Sequence, residues 1–374
     1  MGYPGHLSKR ETLRLQSSAS PLCFSDHGVL IATFLTQQEV HALARRDQPS
    51  DPLPLRLHAA FLDAVSGRVQ ARRDWYTAHP AGGVIAAGDG NFVVFTPAVV
   101  SLYSPSLELV KDFKLSSEQQ SHVWDFHSSP SGKIILVEYH YPEAKYQWLD
   151  TDTLLPQIAS WSESLPVLSI SDDKEITSFR DTYVRSKSMN VYEALVKSRD
   201  RPERTVCRVI AGNGGDSCGE PLILSNELLS LWSPHKFIVV PKTGGDALFR
   251  ASFRDDEWLG SRLYPSADGK RFAVTISAHK GGGALLDIGF RSVLKRIVVY
   301  DLPSGRVAYT LDAEQQKIKK VSGVVLSPDG FLLAVQTDGV VEVYQLPSDH
   351  AEIVGLEDGI RLQQGPNPAS KPKQ

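Results

Sequence analysis

One unit recurs along this chain and limits what it can fold into: a tight turn of Ser, Asp and Gly that runs straight into a short apolar segment. The clearest copies are Ser327-Pro328-Asp329-Gly330 before Phe331-Leu332-Leu333-Ala334-Val335, and Ser266-Ala267-Asp268-Gly269-Lys270 before Arg271-Phe272-Ala273-Val274. A third is Ser129-Pro130-Ser131-Gly132-Lys133 before Ile134-Ile135-Leu136-Val137. Weaker copies open at Ser25, Gly88, Ser171 and Ser225. The seven copies are spaced by roughly 40 to 60 residues, a period that marks a radial array of small sheets.

The turn chemistry explains the unit. Proline presets the backbone angle at the second turn position, Ser or Asp bonds its own backbone, and Gly accepts the left-handed conformation that closes a hairpin. The apolar run that follows is short and rich in β-branched and aromatic residues, as a strand buried on both faces should be. A second turn recurs downstream, after Leu62-Asp63, Leu149-Asp150 and Tyr300-Asp301, with Tyr103-Ser104-Pro105-Ser106 similar. Each unit therefore reads strand, turn, strand, loop, strand, turn, strand, which is one four-stranded propeller blade. The expected fold is all-β: a single seven-bladed β-propeller of four-stranded antiparallel blades over residues 1–347. Only 284–295, in a long insertion of the sixth unit, and 36–46 in the first suggest helix.

The last unit offers three strands, at 321–327, 331–337 and 340–346. An open blade edge invites aggregation. The alternating segment 11–17 is expected to pair there as the outer strand, so that an N-terminal strand closes the ring. Residues 348–374 are polar and end in Gly365-Pro366-Asn367-Pro368, which reads as a disordered tail.

The Ser-Pro-Asp-Gly hairpin, the apolar strand after it and the aromatic-Asp or Leu-Asp strand ending resemble the WD40-like and YVTN/lactonase-like propellers of bacteria, over roughly residues 20–347. No Gly-His pair opens the blades, and Leu62-Asp63, Leu149-Asp150 and Tyr300-Asp301 stand where eukaryotic WD40 repeats carry Trp-Asp. The one Trp-Asp pair, Trp124-Asp125, lies in a first strand.

Searching for chemistry yields little. The net charge is −3, so no basic footprint marks a nucleic-acid binder. No apolar run reaches the length of a membrane span, and the first residues lack the apolar core of a signal peptide. Three cysteines, Cys23, Cys207 and Cys218, are too few for a disulfide scaffold, although Cys207 and Cys218 flank a turn and could face each other. Lys280-Gly281-Gly282-Gly283 lacks the trailing residues of a phosphate loop, and neither a zinc helix nor a nucleophile elbow is present. His122 and His127, five apart in a strand, point to opposite faces and make a poor metal pair. Asp89, Asp172, Asp268 and Asp329 are accounted for as turn residues. The tryptophans at 75, 124, 148, 161, 232 and 258 are expected between blades.

One basic cluster stands out. Lys280, Arg291, Lys295 and Arg296 fall in or beside the sixth-unit insertion, and Lys317, Lys319 and Lys320 in the next inter-blade loop, where neighbouring loops could form a patch for an anionic partner. No cofactor or metal is implied. Two functions are carried forward. The first is a non-catalytic, monomeric platform that binds a protein or peptide on its loop face, with neither nucleic acid nor membrane as partner. The second, implied by the lactonase-like resemblance, is an enzyme whose polar groups meet in the central channel. The lining of that channel discriminates them.

Overall fold

Five of the seven repeated turns are held by the same hydrogen bond. A buried serine hydroxyl accepts the backbone N–H of the residue that opens the next strand: Ser25 from Val29, Ser129 from Ile134, Ser171 from Glu175, Ser266 from Arg271 and Ser327 from Leu332, at 2.8–3.2 Å. In two turns the Asp accepts from the same serine, Ser266 Oγ to Asp268 Oδ1 at 2.7 Å and Ser327 Oγ to Asp329 Oδ1 at 2.5 Å. Glycine is required where the hairpin closes with positive φ, as at Gly132 (φ 73°), where a Cβ would sit 2.1 Å from the Ala86 carbonyl oxygen of the neighbouring blade.

The computed structural model describes residues 3–6, 11–12, 22–36 (except 26–27), 55–77, 83–115 (except 97), 123–140, 144–158, 167–184, 189–198, 201–211, 221–279 (except 234 and 255), 292–318 (except 303 and 317), 321–337, 340–347 and 361–364. They form seven antiparallel sheets in a ring. Blade 1 is Leu22–Phe24, Val29–Thr36, Leu55–Asp63 and Val69–Thr77; blade 2 is Gly83–Ala86, Phe92–Phe95, Val99–Tyr103 and Leu109–Lys114. Blade 3 is Val123–Ser128, Ile134–His140, Ala144–Asp150 and Pro156–Ile158; blade 4 is Ser169–Ile170, Glu175–Val184, Met189–Ser198 and Arg201–Ala211. Blade 5 is Pro221–Ile223, Leu228–Ser233, Lys236–Pro241 and Phe249–Ser252; blade 6 is Glu257–Pro265, Arg271–His279, Ser292–Asp301 and Val307–Asp312. Blade 7 contributes Val321–Leu326, Leu332–Thr337 and Val340–Gln345.

The core is divided into wedges, one between each pair of adjacent blades. Leu22, Leu30 and Leu62 of blade 1 pack on Ala334 and Val341 of blade 7, while Ile31, Leu57 and Phe61 pack on Val84, Phe92 and Val94 of blade 2. Blades 2 and 3, 3 and 4, 4 and 5, and 6 and 7 share wedges of the same kind. The wedge between blades 5 and 6 is the most aromatic, with Phe237, Phe249, Phe272 and Tyr300 in mutual contact at centroid separations of 5.2–6.3 Å. Strands buried on both faces are what the apolar runs after each turn predict.

Two terminal segments differ from the sequence reading. The fourth strand of blade 7 is Tyr3–His6, paired with residues 340–343, and so an N-terminal strand closes the ring. It is not the segment 11–17: Glu11 and Thr12 pair instead with Thr36 and Leu35 of blade 1, and 13–17 lie outside the described residues. Strand-like alternation is shared by any edge segment, so it could not say which of two neighbouring segments reaches the open blade. In the polar tail, Arg361–Gln364 forms a strand on the outer edge of blade 5, Leu362 opposite Ala251, where unpaired backbone groups accept an added strand whatever its side chains. Of the two segments read as helix, residues 292–295 belong to a strand of blade 6 and Thr36 ends a strand of blade 1; 37–46 and 284–291 lie outside the described residues. Among the described residues no helix is long and apolar enough to cross a membrane.

Candidate functional site: the central channel

The first strands of all seven blades surround a cavity of about 460 Å³. Its wall is mainly aliphatic, with Leu22, Val84, Val167, Leu222, Leu263 and Val324 among the lining residues. No lysine, arginine, aspartate or glutamate lines it among the described residues. The cavity reaches the face of the short hairpin turns, since Pro130, Ala267 and Pro328 also border it.

The ring breaks its own symmetry in blade 3. Two residues before the first turn, six blades carry Cys23, Ile85, Ser169, Ile223, Tyr264 and Val325; blade 3 carries His127. Five residues into the second strand, the buried residues Thr33, Thr96, Thr275 and Gln336 of four other blades match a buried carboxylate, Glu138. His127 Nε2 lies 2.9 Å from Glu138 Oε2. Tyr146 sits directly across from Glu138 and bonds to it, which, after burial itself, holds its phenol above the usual tyrosine range; a further bond to Val167 opposes that shift. The group therefore sits on the blade 3 face that packs on blade 4. Burying a charge this way is tolerable only when it is paired and hydrogen-bonded. Cys23 also lines the channel, and burial pushes its thiol up to about 12, against a smaller opposing bond with the Ala86 backbone. It stays protonated at neutral pH and so is no thiolate nucleophile.

Lys295 and Arg296 are the two members of the expected basic patch among the described residues; Lys280, Arg291, Lys317, Lys319 and Lys320 lie outside them. Lys295 is the extra residue of a β-bulge opposite Ile276 and Ser277 and is exposed. Arg296 is turned inward, with two 2.8 Å bonds from Nη1 and Nη2 to the carboxylate of the buried Glu257. Its charge is thus committed inside blade 6, which adjacent positions on a strand could not have revealed. The described flanks of the two loops, His279, Ser292 and Asp312, lie at one end of blade 6, where the Ala313 N–H donates to the Lys295 carbonyl.

The remaining candidates take structural places. Asp172 accepts from Ser131 Oγ of blade 3 at 2.5 Å, Asp268 and Asp329 brace their own turns, and Asp89 adopts a positive φ of 56° in its turn. Among the described residues no cluster of His, Cys, Asp and Glu is arranged for a metal ion. Trp148 is buried between blades 3 and 4, and Trp75 is part-buried between blades 1 and 2, bonded to the Tyr103 hydroxyl at 2.9 Å. Trp258 is part-buried; the side chains of Trp124, Trp161 and Trp232 lie outside the described residues, as do His122 and Cys218 and the side chain of Cys207.

Sequence reasoning missed Glu138 and Arg271. Glu138 had a visible signal, a carboxylate directly after the apolar run 134–137. Arg271, 8 % exposed, bonds from Nε to Asp301 Oδ1 at 2.7 Å, from Nη1 to the Gly330 carbonyl at 3.1 Å and from Nη2 to the Pro347 carbonyl at 2.9 Å, with Phe331 stacked 4.9 Å away. It ties blade 6 to blade 7. Blades 4 and 5 are tied at the corresponding place by Lys242 Nζ and Glu175 Oε2, 2.7 Å apart and both buried.

No protein-family model matches the chain, and no curated protein matches it. Among solved structures, a chain in a crystal structure of a mitotic checkpoint complex is similar over 93 % of this chain and 94 % of its own length, with 12 % identity and a TM-score of 0.47.

Proposed function

We propose that this propeller is a non-catalytic, monomeric platform that holds a protein or peptide on the face bearing its long loops. The observation that carries the reading is the channel wall, which carries His127 but no arginine, lysine or carboxylate among the described residues to converge with it. A hydrolytic site needs a nucleophile or activated water with an acid–base partner in reach of it; His127 has a carboxyl behind it, and the other ionisable groups on the wall are the protonated thiol of Cys23 in blade 1 and Tyr264 in blade 6. Strand order supports the choice of face. Connections between second and third strands, including 37–54 and 280–291, leave from the same end of the ring as the blade-to-blade crossings, whereas the other end carries only hairpin turns. The turn residues support placing the chain with the bacterial WD40-like and YVTN-type propellers. The basic residues Lys280, Arg291, Lys295, Lys317, Lys319 and Lys320 make an acidic segment the favoured partner, with neither nucleic acid nor membrane required.

The test is capture by chemical cross-linking in the native host, with wild-type protein compared with K280E/R291E/K295E and with a control on the hairpin face, K133E/K270E. Loss of cross-linked protein only in the first variant supports the reading. Equal loss in both, or turnover of lactones and esters that disappears in H127A, overturns it.

A further inference from the structure

We propose that the channel crevice between blades 3 and 4 binds a small uncharged amphiphile, its apolar body in the cavity and its hydroxyl head donating a hydrogen bond to Nδ1 of His127. This site is separate from the loop-face platform and stands or falls without it. The cavity volume of about 460 Å³ falls within the roughly 300–1,000 Å³ of small-molecule pockets, and its wall sets aliphatic side chains beside polar ones, His127, Ser169 and Tyr264 among them. The polar group is oriented. Glu138 lies 2.9 Å from Nε2, and in the neutral imidazole that carries its proton on that nitrogen Nδ1 is an acceptor. His127 lines the cavity, and its one side-chain hydrogen bond among the described residues is the one at Nε2. Glu138, 4 % exposed, is in turn bonded by Tyr146, so the imidazole is held from behind by two buried groups on a rigid sheet.

The electrostatics select the charge of the ligand. No lysine or arginine lines the cavity among the described residues, and the group directly behind the imidazole is a carboxyl, so an anionic head finds no cationic side chain from Lys or Arg there. A cationic head finds no carboxylate on the wall among the described residues. A neutral donor fits both constraints. The simpler occupant is water, about fifteen molecules at roughly 30 Å³ each, and the experiment separates the two.

The test is calorimetric titration of the full chain with octan-1-ol, its methyl ether 1-methoxyoctane, and sodium octanoate. The expected result is one saturable site for octan-1-ol, with the ether about tenfold weaker because it has no donor, and octanoate weaker still. In His127→Phe the alcohol and the ether should bind alike, and Val325→Trp, which narrows the channel, should weaken both. Absence of a saturable site, equal binding of alcohol and ether to the wild type, tighter binding of octanoate, or discrimination that survives His127→Phe would overturn the proposal. The wild-type comparison decides the hydrogen-bond claim even where a variant does not fold.

Discussion

Replacing Arg271 by Ala removes a side chain that two blades share. Its three hydrogen bonds, at 2.7, 3.1 and 2.9 Å, reach Asp301 in its own blade and the Gly330 and Pro347 carbonyls in blade 7, and its guanidinium lies on Phe331. The Asp301 side chain is 16 % exposed and would lose this partner in a mostly buried place. Breaking a buried ion pair from one side costs about 3–5 kcal/mol, most of it from the charge left behind. With an unfolding entropy of about 2.1 cal/mol/K per residue, a chain of 374 residues has a transition entropy of about 0.8 kcal/mol/K, so Tm should fall by about 4–6 °C. Urea denaturation with a fixed m-value gives the free energy directly. Arg271→Lys keeps the charge but not the planar fork and should recover less than half of the loss. In a double-mutant cycle with Asp301→Asn the coupling should be about 1.5–3 kcal/mol. An R271A loss below about 1 kcal/mol, or a coupling near zero, would show that the blade contact is carried by the apolar wedge and not by this arginine.

Other outcomes follow from the same geometry. Tyr300 is buried among phenylalanines and its hydroxyl has no partner among the described residues, so Tyr300→Phe should raise stability by about 1 kcal/mol in the same urea assay. Gly132→Ala combines a φ of 73° with a Cβ 2.1 Å from the Ala86 carbonyl, and should cost more than the roughly 1–3 kcal/mol of the backbone conformation alone, read as a lower urea midpoint. Deleting residues 1–10 removes the outer strand of blade 7 and should convert a monodisperse elution profile into concentration-dependent association. In a C207S/C218S background, Cys23 should react with iodoacetamide far more slowly at pH 8 than an ordinary thiol. Because its native pKa is raised from 9.0 to about 12, the native state should be at full stability below pH 9 and lose stability as pH climbs through that window.

Much of this architecture can be read without coordinates because the blade is a local object. A serine that accepts the N–H opening the next strand, a glycine with positive φ and an apolar run buried on both faces act within a few residues of one another, so Ser327-Pro328-Asp329-Gly330 specifies its hairpin on its own. Repetition then supplies the blade number, since each apolar face can be buried only against the next blade. Aspartates 63, 150 and 301 end their third strands as their spacing implies. What joins blades is decided elsewhere. Tyr3–His6 meets residues 340–343 across almost the whole chain, and an alternating pattern at 11–17 competed equally well for that edge. Arg296 and Lys295 are adjacent letters with opposite fates, one locked on Glu257 and one exposed on a bulge. The pairing of His127 with Glu138, eleven positions apart, needs the strand register and the diagonal neighbour on one sheet face. Local hydrogen bonding and hydrophobic period are encoded in short stretches, whereas partners of charges and closure of the ring depend on where distant strands come to lie, and only the assembled ring sets that.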